Sequence, residues 1–377
     1  MIDSVVLKLE ASQFKLLDSS YFDGKETKQV SGKFSVTSVF ANPAKIAAQD
    51  GHYFPRITLP ERSIKKVDGS KEKVRSLEIQ VSLPKLIYDT NAIEVGNTDL
   101  EAILTRLLYC LEKVHIKTTK QELSKATLKR VDFSKIVRLP DYLGGARQVL
   151  KTLSNFNCKP QSDFRITEYN DNSEGIALKF WNSTQGYVIY DKLGEIIANG
   201  HTKVEQELIT ALQDGKIKRN VIKFELSLQR KQSLEAVLRR FISGKRKDFN
   251  LSDIMTSTDI SKALLLETFD KVYSKTSTAL ITLSQMAENE LEQYLLSKNL
   301  QIKTHALLSY LVNMTTKIGV SPMWQQMNER LKGGSYDKYK KDVALILTEL
   351  GQIPSNTPNL IAYLRNQHEK FELVRPK

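Results

Sequence analysis

Cysteine is scarce in this chain: Cys110 and Cys158 are the only two in 377 residues. Neither belongs to a CxxC pair, so neither a disulfide framework nor a structural zinc site is expected, and a reducing cytoplasm fits. Long apolar runs are absent too. No stretch approaches the ~18 residues that a membrane helix needs. The opening "MIDSVVLKLE" carries acid early and alternates like a strand, unlike a signal peptide. The five histidines, His52, His115, His201, His305 and His368, form no HxH, HxxxH or HExxH. That excludes a metal centre built on neighbouring imidazoles. GxxxxGK[ST] is missing as well, which argues against a P-loop ATPase or helicase.

Acidic charge is in deficit. The chain has 56 basic and 43 acidic side chains, a net charge of +13. Residues 1–240 hold 38 basic against 29 acidic, and residues 241–377 hold 18 against 14, so the excess is spread rather than confined to a tail. A diffuse positive excess suits a partner with repeating negative charge, nucleic acid first. A merely basic soluble protein accounts for the composition equally well.

What is present is a run of short alternating strands over the first 230 residues: 4–9, 32–40, 75–83, 127–136, 175–181, 186–191 and 221–228. "NSTQG" (182–186) has the length of a hairpin loop. Helices intervene. Thr98 and Glu101 form a capping-box pattern before the apolar stripe of 100–116, Pro140 opens a second helix, and a third runs from Lys203 to about Leu212. Beyond about Ser257 the pattern reads helical to Phe371, with Ser321-Pro322 and Thr357-Pro358 as helix starts. The expected fold is therefore α+β: a mostly antiparallel sheet with helices on one face, in a domain of residues 1–245, followed by an all-helical C-terminal domain of residues 255–377.

Alternation assigns faces. In "VIKFELSLQ" the residues Ile222, Phe224, Leu226 and Leu228 oppose Lys223, Glu225, Ser227 and Gln229. In "LKRVDFSKI" Arg130, Asp132 and Ser134 oppose Val131 and Phe133. Leu77, Ile79 and Val81 likewise oppose Glu78, Gln80 and Ser82. Three strands thus each carry a mid-strand carboxylate on a polar face. A solvated sheet face explains this. Two such carboxylates brought together would also suit Mg²⁺ or Mn²⁺ and phosphodiester chemistry.

Five blocks in order, "MIDSVVLKL", "LEIQVSLPKLIYDTNAIEVGNTDL", "ATLKRVDFSKI", "FWNSTQGYVIYDKLGEI" and "VIKFELSLQRK", together resemble the filamentous-phage gene II-type replication initiators, and the later blocks resemble related rolling-circle initiators. The resemblance covers roughly residues 1–240, and the helical part looks like the C-terminal domain of that family. It implies an enzyme that nicks one strand at a replication origin. A tyrosine hydroxyl would attack the phosphodiester with a divalent metal's help, keep the 5′-phosphate covalently, and later rejoin the displaced strand. By resemblance Asp132 and Glu225 fall on the metal-binding acids, and Tyr190-Asp191-Lys192 on a Y-x-K strand end, with Lys192 on a phosphate.

The chain departs from that family at the nucleophile. Residues 191–224 hold no tyrosine, and His201 falls in the phage-type position, with Lys179 in the plasmid-type one. Tyr187 and Tyr190, with Tyr169 further off, are the tyrosines near enough to serve. Tyr190 alternates with Val188 like a packed residue, whereas Tyr187 shares a face with Asp191. The implied partners are double- and single-stranded origin DNA, with host helicase and polymerase, in a bacterial cytoplasm and without a membrane. Lys338, Lys340 and Lys341, interleaved with Tyr336 and Tyr339, are candidate DNA contacts. Two other readings stand beside this one: a family member that binds origin DNA but has lost nicking, and an unrelated basic structural protein.

Overall fold

The computed structural model describes residues 1–31, 34–42, 46–47, 51–65, 71–155, 165–171, 175–242, 248–256, 258–273, 275–284, 286, 288–318, 320–331, 334–350 and 360–375. Thirteen strands are named here in chain order: β1 (Ile2–Leu9), β2 (Lys15–Leu16), β3 (Gly24–Ser31), β4 (Phe34–Ala41), β5 (Arg56–Lys65), β6 (Lys71–Arg75), β7 (Leu77–Ser82), β8 (Ile116–Lys117), β9 (Thr127–Arg138), β10 (Arg165–Asp171), β11 (Gly175–Trp181), β12 (Gln185–Asp191) and β13 (Val221–Leu228). Eleven form one sheet in the order β10-β11-β12-β13-β9-β1-β7-β5-β4-β3, with β6 on β5; β2 and β8 form a separate pair. Every pairing is antiparallel.

Alternation dictates which side is sealed. Val5, Leu7, Leu9, Leu77, Ile79, Val81, Val131, Phe133, Leu178, Phe180, Tyr187, Ile189, Phe224 and Leu226 are all at most 2% exposed and share one face through the register. The other face presents the half-buried Ser4, Val6, Lys8, Glu78, Arg130, Val188, Tyr190 and Glu225. The apolar face is closed by helices from far along the chain. Phe269 in Thr258–Val272 and His368 in Leu360–Lys370 both set their rings against Phe224, at 6.1 Å and 4.6 Å. Tyr273 meets Phe180 at 6.4 Å. From Thr258 to Lys370 the described elements are all helices. Those between Lys275 and Glu349 pack mainly on one another, while the first and last of the set lie on the sheet and join its core. The architecture is thus a mostly antiparallel sheet with flanking helices and an all-helical C-terminal region.

The chain returns once more after the last helix. Glu94 donates its N–H to the Val374 carbonyl at 3.0 Å and accepts the Val374 N–H on Oε2 at 2.9 Å. The buried Lys135 ammonium bonds Glu94 Oε2 at 3.1 Å, the Ile136 carbonyl at 2.7 Å and the Glu372 carbonyl at 2.9 Å. Lys135 shares its face with Phe133, so a buried charge sits among apolar neighbours, its hydrogen bonds supplied by Glu94, the Ile136 carbonyl and, from the tail, the Glu372 carbonyl.

Local expectations are met unevenly. The Lys203–Gln213 helix has the Thr202–Glu205 capping box and stops at Asp214, followed by Gly215 at φ +68. The Thr98–Glu101 box does not form: Leu100–Lys113 starts from Asp99, whose carboxylate holds the Gly96 N–H and Arg375 instead. The helix expected from Pro140 begins at Ala146, because Gly144 adopts φ +78 and breaks the chain direction first. The helix expected at Ser321-Pro322 starts at Val320. The Thr357-Pro358 start and the basic run Lys245-Arg246-Lys247 lie outside the described residues. Among the described residues no helix is long and apolar enough to cross a membrane.

Candidate functional site

Where β12, β13, β9 and β1 lie side by side, their polar face gathers the acids and bases of several strands. Register places Val188 opposite Glu225 and Glu225 opposite Ser134; one step along, Tyr190 lies opposite Lys223. The Tyr190 hydroxyl donates to Glu225 Oε2 at 3.3 Å. The buried Lys223 ammonium is bonded to Asp3 Oδ1. β12 then runs directly into the Lys192–Asn199 helix, whose N-cap Asp191 accepts the Gly194 N–H at 2.9 Å and Arg219 Nε at 2.6 Å. That turn holds the Lys192 ammonium 5.7 Å from the Tyr190 ring centroid and in contact with Glu195.

Two lysines, a tyrosine and three carboxylates therefore share one half-sealed corner, and their titration is coupled. Burial and the neighbouring Asp3 and Asp132 push Glu225 up to about 7, although Lys223 and Lys192 oppose them. Burial and the Lys223 charge bring Lys192 down to about 8, against the pull of Glu195 and Asp3. For Lys223 burial works in the same downward sense, but Asp3, Glu225 and Glu195 outweigh it and hold the ammonium above its ordinary value. Tyr190 is raised well above the ordinary phenol by burial, then by Glu225, Asp3 and Glu195. At neutral pH the corner thus contains a protonated phenol donating to a carboxyl poised to change state.

The remaining expected residues divide. Tyr187 is removed from the site. It lies on the apolar face, fully buried, with Phe180 at 6.0 Å and Phe224 at 6.4 Å, and its hydroxyl has no hydrogen-bond partner. The face it shares with Asp191 is the core side, because Asp191 serves the helix cap and Arg219. Asp132 is a neighbour of Glu225 on the polar face, but its carboxylate is already saturated. Oδ1 takes Arg130 Nε at 3.0 Å and the Ser227 hydroxyl; Oδ2 takes Arg130 Nη2 at 2.9 Å and the Ser4 hydroxyl. Four donors leave it no free direction toward a cation. Lys179 falls in the cross-strand row of Val188 and Glu225, and Tyr169 in that of Tyr190 by backbone register. His201 is an exposed loop residue whose backbone N–H donates to Glu205 at 3.0 Å.

Asp3 is the residue that periodicity misses. Strict alternation from Val5, Leu7 and Leu9 would send it into the core. The β1–β9 register slips between Ile2 and Ser4, and this irregularity turns Asp3 toward Lys223. Among the described residues no group of three or more His, Cys, Asp or Glu is placed to hold a metal ion together. Asp3 and Glu225 are two, and Mg²⁺ is commonly held by one or two carboxylates plus water and substrate phosphate. Asp3 and Glu225 lie close enough for Asp3 to push Glu225 upward, and the Lys223 ammonium bonded to Asp3 works against that push.

Lys338, Lys340 and Lys341 lie in the helix Gly334–Glu349, Lys338 and Lys341 exposed and Lys340 half-buried. Tyr336 and Tyr339 turn inward and meet the Trp324 ring edge-on at 6.3 Å each. Their spacing serves helix packing; among the described residues none of the three lysines is in an ion pair. Set against known proteins, the chain matches no family model, no curated protein and no solved structure.

Proposed function

We propose that this chain acts on DNA as a rolling-circle replication initiator, with Tyr190 as the strand-transferring hydroxyl and Glu225 as the base beside it. The contact of Tyr190 with Glu225 on the half-buried polar face of the sheet, bracketed by Lys192 and Lys223, carries the reading. In the forward step the Tyr190 oxygen bonds to phosphorus and the P–O3′ bond breaks. The phenol proton passes to Glu225, and the departing 3′ oxygen takes a proton from water. In this reading Lys192 and Lys223 would offset the charge that builds on the non-bridging oxygens. Rejoining is the reverse, with the 3′-OH attacking the phosphotyrosine. Asp3 and Glu225 would hold Mg²⁺ or Mn²⁺, which when bound supplies positive charge to the phosphate oxygens. In this reading Asp132 is structural, fixing β1, β9 and β13 through Ser4, Arg130 and Ser227. Origin DNA is the substrate, and host helicase and polymerase act on the nicked product.

A second reading, binding of origin DNA without strand transfer, is favoured by Lys179 and His201 standing where the resembled families have tyrosine. One experiment separates the two. Supercoiled DNA bearing the origin is incubated with Mg²⁺ or Mn²⁺, then resolved under denaturing conditions, and any DNA-linked peptide is sequenced by mass spectrometry. An adduct on Tyr190 that Tyr190→Phe abolishes and Tyr187→Phe retains is the expected result. An adduct on another tyrosine removes the assignment, and retained binding with no nick or adduct establishes the second reading.

A further inference from the structure

At the end of the sheet away from the Tyr190 corner, β5 and β6 leave the body as a two-stranded ribbon. β5 keeps one register against β6 and β7 together, from Ile57 opposite Ile79 to Lys65 opposite Lys71. The neighbouring ladders stop short of its outer half. β1 ends at Leu9 opposite Leu77, and β4 parts from β5 at Thr37 opposite Glu61. Among the described residues, the pairs from Arg62–Val74 to Lys65–Lys71 have no third strand beside them.

Alternation sorts the charges of this ribbon. Glu61, Ser63, Lys65, Lys71, Lys73 and Arg75 continue the dry face of Ile57, Leu59, Leu77 and Ile79. Arg62, Ile64, Glu72 and Val74 fall on the other face. Four of the five cations in Glu61–Lys65 and Lys71–Arg75 thus share one face, with Glu61 as its single carboxylate. Glu61 is held by Lys73 at 2.8 Å and by Arg75 at 3.2 Å, whose side chains are 73% and 59% exposed. One acid offsets one of the four, and the face stays positive. Lys65 and Lys71 are the outermost described pair, and like charges directly opposite each other work against a hairpin. Lysines that merely deter strand pairing at an edge would serve on either face. Here they are gathered on one.

We propose that the β5–β6 ribbon enters the major groove of duplex DNA, with Lys65, Lys71 and Lys73 on phosphates while Arg75 retains Glu61. The choice of DNA rests on the reading above, but the contact needs no strand transfer. A major groove ~12 Å wide and ~8.5 Å deep admits a two-stranded ribbon. The pairs from Glu61–Arg75 to Lys65–Lys71, at ~3.4 Å per residue, reach about 14 Å. Duplex fits better than single strands, because neither Glu61–Lys65 nor Lys71–Arg75 holds an aromatic ring on which unpaired bases could stack. Following β1 from Asp3 to Leu9 and the adjoining strand from Leu77 to Lys71 covers about 40 Å. One turn of duplex is ~34 Å, so DNA touching both the ribbon and the Tyr190 corner spans more than a turn.

The test is anisotropy of a fluorescein-labelled, mixed-sequence duplex of about two turns, titrated with the full chain in EDTA, which keeps nicking silent. Lys65→Gln with Lys71→Gln is expected to lower the magnitude of the salt slope by about 1.8, two phosphates' worth, with melting no lower than wild type. Lys71→Glu, pairing across the ribbon with Lys65, should raise the melting temperature while weakening duplex binding; a merely structural lysine would move both in the same sense. Methyl green, which fills the major groove, should abolish the difference between wild type and the double variant, and netropsin, in the minor groove, should leave it. A wild-type chain that binds no duplex ends the DNA reading and this proposal together. Wild-type duplex binding with an unchanged slope in the double variant overturns this proposal alone. So does a deficit that netropsin abolishes, or one equally large toward oligothymidine or polyglutamate.

Discussion

Deleting the Tyr187 hydroxyl should stabilise the protein. The ring is fully buried between Phe180 and Phe224, and the oxygen has no hydrogen-bond partner. Burial also raises its phenol well above the ordinary value, so the group is a neutral donor stripped of water. An unsatisfied buried polar group costs about 1–3 kcal/mol. Tyr187→Phe keeps every ring contact and removes that cost, giving an expected gain of about 1 kcal/mol with about 3 as the ceiling. Tyr187→Ala instead empties a space the size of the ring and should cost about 3–5 kcal/mol. Equilibrium urea unfolding followed by fluorescence suits the measurement, since Trp181 lies in β11, next to Tyr187's strand. A Tyr187→Phe protein less stable than wild type by about 1 kcal/mol or more would refute the reasoning, because it would mean that the hydroxyl has a partner after all. Tyr190→Phe is the internal contrast: it removes a 3.3 Å hydrogen bond to a half-buried carboxyl and should cost about 0.5–1.5 kcal/mol.

Glu94→Gln should destabilise by about 3–5 kcal/mol, because Lys135 would be left charged and buried; urea unfolding measures this directly. His368, held down to about 4 mainly by burial against Phe224 and Phe269, resists protonation that the unfolded chain accepts near 6.5. Its contribution is therefore intact above about pH 6.5 and is lost as pH falls, by roughly 3 kcal/mol near pH 4. His368→Met should flatten that acid limb in melts taken between pH 7 and pH 5. At the proposed active site the carboxylate form of Glu225 accepts the proton, and the cation it shares with Asp3 would favour that form, so single-turnover nicking should fall in acid with its inflection below the metal-free value of about 7. Glu225→Gln with wild-type nicking would remove Glu225 from the role of base.

Much of the sheet was legible because period-two alternation is a strong signal where one face is dry. β11, β12 and β13 fall within a residue of expectation, and the NSTQG hairpin joins the pair it should. β3, β5, β6 and β10 were not foreseen; their mixture of charge and β-branched residues reads as loop until a neighbouring strand supplies the pairing. The site was harder. β12 has a tyrosine on each face, and alternation separates Tyr187 from Tyr190 without saying which face is core. Asp191 misled there, since an acid beside a tyrosine suggests chemistry until the helix it caps is known. Asp132 looked available because sequence shows a carboxylate but not the serines of β1 and β13 that fill it. Asp3 was invisible, because only the slipped register takes it out of the core.

The way the apolar face is closed has a consequence for biosynthesis. β1 pairs with β9 across some 130 residues of chain, and Phe224 gains its cover from Phe269 and His368 only later. At roughly 5–20 residues per second, a ribosome needs about 7–30 s to travel from the end of β13 to the segment around Glu372 that completes the Lys135 cage. Until Thr258–Val272 and then Leu360–Lys370 are made, the part of the nascent sheet around Phe224 lacks its cover, and it is most exposed to aggregation then. Yield during rapid expression should therefore respond more to slower elongation and chaperone supply than to the equilibrium stability of the finished chain.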